Sequence, residues 1–145
     1  MPGDDSAIDR PRAQVGALVW RFEKSVLQVL LVTSRDTGRY VIPKGWTEKN
    51  LSDPEAASNE AYEEAGVLGD ITNEPIGGFA YIKIVGPGFA LPCVITVYAM
   101  ECRTLLEKWP EMRERTRAWM TLDQAMASVE EPELKLLIES FVPVL

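Results

Sequence analysis

The sequence contains no histidine. That absence removes together the Ser-His-Asp and Cys-His nucleophile pairs, histidine-based zinc sites and imidazole acid–base catalysis. Any hydrolytic chemistry must then run on carboxylates, lysine, tyrosine or a metal held by oxygen. Cysteine is nearly as scarce. Cys93 and Cys102 flank an apolar alternating run and fall at different points of one expected strand, poor geometry for a bridge. A reducing, cytoplasmic setting is the expectation that follows. Long apolar runs are missing too, and none is long enough to span a bilayer. Basic residues are in the minority, 15 Lys and Arg against 22 Asp and Glu, a net charge of −7. Phosphate backbones are held by clustered Lys and Arg, so duplex nucleic acid is not the expected partner.

What is present is an ordinary globular composition, with 46% hydrophobic and 26% charged residues in a 145-residue chain. One domain fits that length. The opening "MPGDDSAIDRPR" mixes Pro, Gly and charges without an apolar stretch, so residues 1–12 read as a loose leader and residues 13–145 as a single domain.

"AQVGALVWR" and "VLQVLLVTS" read as two strands joined by a short turn, and "YVIP" as a brief strand stopped by Pro43, where a loop opens. A helix follows over Asp53–Ala65. Ser52 with Glu55 three residues later forms a capping box, Pro54 is tolerated in the first turn, and Gly66 sits where a left-handed residue ends a helix. "IGGFAYIKIV" and "CVITVYAMEC" read as strands separated by a loop, "GPGFALP". "RTLLEKWPEMRERT" is irregular and charged, "RAWM" a short strand, "TLDQAMASV" a helix capped by Thr121, and "EPELKLLIESF" a last helix. This order suggests a mixed sheet packed between helices.

Within the first helix, Glu60, Glu63 and Glu64 stand three and four residues apart on one face. A solvated face tolerates that, at about 0.2–0.5 kcal/mol per like-charge pair. In a cleft, a hard divalent cation offsets the repulsion, since Mg²⁺ takes carboxylate oxygens and shares its remaining positions with water and phosphate.

The segment "PKGWTEKNLSDPEAASNEAYEEAGV" resembles the signature of the Nudix hydrolases: Gly, five residues, Glu, seven residues, then Arg-Glu-aliphatic-x-Glu-Glu-x-Gly-aliphatic. Gly45, Glu60, Ala61, Glu63, Glu64, Gly66 and Val67 fall in register, while Leu51 and Asn59 stand where the family has its first Glu and its Arg. The resemblance implies an α/β fold, an α/β/α sandwich with a mixed sheet. It also implies Mg²⁺ or Mn²⁺ held by Glu60, Glu63 and Glu64 with the Gly45 carbonyl, and hydrolysis of a nucleoside diphosphate linked to another group. Glu63 or Glu64 would deprotonate the attacking water. Glu111 and Glu114 could serve instead, but read first as a solvated loop.

"GALVWR", "LLVTSR", the Pro-Lys-Gly entry to the box and "LLEKWPEMRERTRAW" look like the diphosphoinositol-polyphosphate and diadenosine-polyphosphate hydrolases. That resemblance implies a phosphorylated small molecule as substrate. The runner-up activities are ADP-ribose or nucleoside-triphosphate pyrophosphatase, and the alternative from another class is a nucleotide-binding or sensor domain. Candidate phosphate ligands are Lys44 first, then Arg12, Arg35, Arg39, Lys83, Arg115 and Arg117. Trp46 could wall the pocket or pin its loop. Phe79, Tyr81 and Phe89 read as core before they read as base-stacking groups.

Overall fold

The computed structural model describes residues 12–145, so the expected leader lies outside the described residues except for Arg12, which opens the first strand. β1 (Arg12–Glu23) and β2 (Val26–Thr33) form a hairpin through Lys24 and Ser25. Both residues take positive φ, 50° and 68°, the twist that a two-residue hairpin turn requires. β3 (Tyr40–Val41), β4 (Lys44–Trp46) and the helix α1 (Asp53–Ala65) follow. β5 (Val67–Ile71), β6 (Gly77–Gly86), β7 (Phe89–Leu105) and β8 (Arg117–Thr121) complete the sheet, before helices α2 (Leu122–Ser128) and α3 (Pro132–Glu139).

Among the described residues the sheet has eight strands, with the path β3-β2-β1-β7-β5 and with β4 paired to β1, β6 to β7 and β8 to β2. β1 and β7 run parallel while the other pairings are antiparallel, so the sheet is mixed. Val15, Ala17, Leu18 and Val19 are buried in succession because both faces of β1 are covered. On one face Ala56, Ala57, Ala61 and Ala65 of α1 lie against Val15, Ala17, Val19 and Leu30, their small side chains letting the helix sit close to the sheet. On the other face Ala125, Leu134 and Ile138 of the terminal helices cover Leu18, Leu31, Phe79 and Ile95. The result is the expected α/β/α sandwich. No helix among the described residues is long and apolar enough to cross a membrane.

Three local expectations change. Pro43 does not open a loop, because Lys44–Trp46 pairs with Gln14, Val15 and Gly16 as a short strand. The "GPGFALP" loop shrinks to a tight turn: Gly86 already pairs with Phe89, and Pro92 lies inside β7. Val67–Ile71, which contains the strand-poor residues Gly69 and Asp70, is nevertheless a strand. It pairs with β7 across a bulge between Leu68 and Gly69, where a side chain on Gly69 would collide with the Glu101 carbonyl.

Candidate active site

The short strand β4 organises the site. In register, Lys44 faces Gly16, Gly45 faces Val15 and Trp46 faces Gln14. Alternation therefore sends Gly45 toward the α1 face and Lys44 and Trp46 to the opposite one. A side chain on Gly45 would run into the Glu60 carboxylate, so the glycine is what lets that carboxylate reach the strand. A cavity of about 300 Å³ opens here, lined by Lys44, Gly45, Trp46, Glu60, Glu63, Glu64, Tyr81, Lys83, Glu111 and Arg115.

α1 is pinned at both ends. The Ser52 hydroxyl accepts from the Glu55 N–H at 3.2 Å and the Glu55 carboxylate accepts from the Ser52 N–H at 2.8 Å, the reciprocal capping box. Gly66 closes the helix at φ 67°. The terminal carbonyls, which a helix cannot satisfy internally, all find partners in the irregular segment after β7 and the first residue of β8. Glu63 O accepts from the Glu111 N–H at 3.0 Å, Glu64 O from Trp109 Nε1 at 3.1 Å, Ala65 O from Arg117 Nη1 at 2.7 Å, and Gly66 O from the Leu106 N–H at 2.8 Å. Arg117 also donates to Leu106 O at 2.7 Å and stacks 3.8 Å above the Trp109 ring.

Glu64 is 5% exposed, the most enclosed of the three acids. Burial pushes its pKa up to about 8, against the opposing pull of Arg115, whose Nη2 lies 3.5 Å from Glu64 Oε2. The hydrogen bond between Glu60 and Glu64 further raises it. Burial also raises the pKa of Glu60. Both carboxyl groups are thus held above the ordinary carboxylate range at a position where oxygen ligands converge. The Lys44 N–H points at Glu64 Oε1 from 3.4 Å. Glu63 is turned elsewhere, since its Oε2 accepts from Asn59 Nδ2 at 2.6 Å.

The cations differ sharply in what holds them. Arg115 donates to Glu111 at 2.7 Å and to Thr33 O at 3.0 Å while facing Glu64. Arg39 is bound to Glu131 at 2.5 Å and Arg35 to Glu114 at 3.0 Å. Among the described residues neither Lys44 nor Lys83 forms an ion pair. Lys44 Nζ instead donates to the Tyr81 hydroxyl at 3.1 Å, and burial lowers its pKa to about 8.

The structure brings together Gly45, the three glutamates, Lys44, Trp46, Arg35, Arg39 and Arg115. It does not bring in Arg117, which is committed to the Ala65 and Leu106 carbonyls and to Trp109, nor Arg12, which pairs backbone to backbone with Cys93 outside the cavity lining. Glu111 is no solvated loop acid, being partly buried, bonded to Arg115 and part of the lining. Glu114 stays exposed on Arg35. Phe79 is core as expected, whereas Phe89 is 71% exposed beside the β6–β7 turn. Gln14, Ser34, Asp36 and Thr37 carried no sequence signal as lining groups. A glutamine in a strand otherwise apolar at its centre was the hint available for the first.

Adjacent carboxylates with raised proton affinity are the oxygen chemistry a hard divalent cation takes, and Glu60 with Glu64 beside Gly45 fit one. Glu63 stands apart. No group of three or more His, Cys, Asp or Glu side chains among the described residues is gathered closely enough to hold an ion.

Comparison with known proteins identifies the family and the fold. The chain is 32% identical to Nudix hydrolase 16, mitochondrial, of Arabidopsis thaliana, a match covering 92% of this chain and 81% of the relative. Against Nudix hydrolase 4 of the same plant it is 31% identical, covering 90% of this chain and 65% of the relative. No family model matches. Among solved structures, the NUDIX domain of Shewanella oneidensis NrtR complexed with ADP ribose superposes with a TM-score of 0.67 at 16% identity, covering 92% of this chain and 88% of that one. A C. elegans Ap4A hydrolase gives 0.64 at 15% identity, covering 90% and 95%. The chain belongs to the Nudix hydrolases, and its fold is theirs.

Proposed function

We propose that this chain hydrolyses a phosphoanhydride bond in a nucleoside diphosphate linked to another group, a dinucleoside polyphosphate first, ahead of a diphosphoinositol polyphosphate, which offers the same diphosphate on an inositol. The observation that carries the reading is geometric: Glu60 lies against Gly45 and Glu64 against the Lys44 N–H, in the cavity that the Lys44 side chain also lines. Glu60 and Glu64, with the Gly45 carbonyl, would hold Mg²⁺ or Mn²⁺. Such an ion neutralises diphosphate charge and acidifies water for attack. Glu63 accepts the proton of the attacking water at Oε1, the oxygen that Asn59 leaves free among the described residues. The new bond joins water oxygen to phosphorus, and the anhydride electron pair leaves with the departing phosphate, whose charge the Lys44 ammonium meets.

Charge supply supports the dinucleoside choice. A densely phosphorylated inositol needs many free cations, and here Arg35, Arg39 and Arg115 already face carboxylates, leaving Lys44 and Lys83. Trp46 offers a 42% exposed ring at the cavity for a base to stack on. The neighbouring folds are named for Ap4A and for ADP ribose, and ADP-ribose or nucleoside-triphosphate cleavage is the second activity to assay.

The test is product release from dinucleoside polyphosphates, ADP-ribose, nucleoside triphosphates and diphosphoinositols, with and without Mg²⁺, repeated with Glu63→Gln and Glu64→Gln. Metal-dependent turnover that both variants lose supports the reading. Tight nucleotide binding without turnover of any compound would instead mark a sensor domain, for which the Asn59–Glu63 bond is the structural argument.

A further inference from the structure

Tyr81 lies on β6 with its ring in the core and its hydroxyl in the cavity. The core needs the ring alone, and a phenylalanine would fill the same volume. The hydroxyl is used otherwise. It donates to Gln14 Oε1 at 3.0 Å and accepts from Lys44 Nζ at 3.1 Å. The same ammonium sits 4.1 Å from the ring centroid, so the aromatic face and the phenol oxygen hold it together.

Gln14 decides the direction of this chain of bonds. It is 3% exposed and stands between Ala13 and the core residue Val15, where an unpaired amide would be costly. By accepting the phenolic proton, its carbonyl leaves the Tyr81 lone pairs turned toward Lys44, where a donor suits and an acceptor does not. Strand pairing makes the arrangement possible. Gln14 faces Ile95 and Ile95 faces Phe79, with Tyr81 opposite Cys93 two residues along, so Gln14 and Tyr81 share one face across β7. Lys44, in register with Gly16, projects to that face as well.

We propose that Tyr81 and Gln14 are positioning residues that hold the Lys44 ammonium in place for the phosphate of the substrate, an inference resting on the phosphate-binding role given to Lys44 above. A lysine side chain left to itself must be ordered when the substrate arrives, and the Gln14–Tyr81 relay orders it beforehand. Specificity follows from the same geometry. The fixed ammonium favours ligands with charge at one point and disfavours those whose phosphates are spread around a ring.

A double-mutant cycle tests this by equilibrium binding of imidodiphosphate with Mg²⁺, followed by calorimetry, with kcat and KM measured in parallel. Lys44→Met should weaken binding by about 10-fold or more, and Tyr81→Phe by about 3-fold to 10-fold in the otherwise unchanged protein but less than about 2-fold when combined with Lys44→Met. Gln14→Met should cost about 3-fold alone and nothing measurable beside Tyr81→Phe. Equal losses from Tyr81→Phe with and without Lys44 would show a merely structural role and overturn the proposal. An unaffected Lys44→Met variant, or no binding by the unaltered protein, would overturn it too. Thermal melts of each variant separate folding from positioning, since a packing defect shifts the melt equally in both backgrounds. Coupling in binding without turnover of any substrate would sink the hydrolase reading and leave the positioning role standing.

Discussion

The Glu60 carboxylate occupies the space that a side chain on Gly45 would need. A strand residue and a helix residue 15 positions apart in the chain are thereby locked in contact, and the acid is drawn from the helix surface to the edge of the sheet. Glu60 then meets Glu64, and the pair becomes a buried unit with raised proton affinity rather than two solvated charges.

Gly45→Ala forces the two apart. Overpacking of this kind costs about 1–3 kcal/mol, and the displaced Glu60 no longer faces Glu64. The variant is expected to fold with a lowered melting temperature and to lose Mn²⁺ affinity, read by calorimetry, together with most of its turnover. Unchanged Mn²⁺ binding would show that Glu60 does not need the glycine.

The Glu64 carboxyl supplies a pH dependence. Its pKa rises on folding from an ordinary 4.5 to about 8, so between those values the folded chain binds more protons than the unfolded one. Its contribution to stability is complete below about 4.5 and is lost as pH rises through about 8. In the presence of a chelator the melting temperature should fall across that window, and Glu64→Gln should flatten the fall. Divalent ions compete with the proton on Glu64, so Mn²⁺ affinity should increase with pH over the same range.

Arg117 ties the end of α1 to the segment after β7, donating to Ala65 O and Leu106 O and stacking on the Trp109 face. Arg117→Ala is expected to destabilise the chain by about 2–3 kcal/mol in a denaturant titration, the scale of losing charge-assisted hydrogen bonds. KM should hold at temperatures where the variant stays folded. A raised KM at undiminished stability would return Arg117 to the substrate.

Leu51 packs partly buried against the core beneath α1, and Asn59 borders the same groove. Leu51→Glu alone places a charge there without a partner and should destabilise strongly. Adding Asn59→Arg should recover part of that loss and release Glu63 from its 2.6 Å bond, raising turnover. Additive losses in stability would show that the two positions do not communicate.

The helix α1 was legible in the sequence to its ends, because a capping box, a proline in the first turn and a left-handed glycine are interactions among neighbours in the chain. The spacing of Glu60, Glu63 and Glu64 was legible for the same reason, since helical spacing is local, whereas Gly45 was legible only through the resemblance to the Nudix signature. β5 escaped because its two least strand-like residues, Gly69 and Asp70, are tolerated only through pairing with β7. The tight β6–β7 turn escaped because Phe89 and Pro92 are held in a strand by the partner across from them.

By itself, then, the sequence determined which acids stand on one helix face and how that helix begins and ends. Tertiary structure decided what each cation does. Arg117 reaches Ala65 across 52 residues, Arg115 reaches Thr33 across 82 and Arg39 reaches Glu131 across 92. Local propensity holds no information at such separations. A charge in a sequence is equally ready to meet a phosphate, a carboxylate or a helix carbonyl, and the fold alone brings one of them within reach.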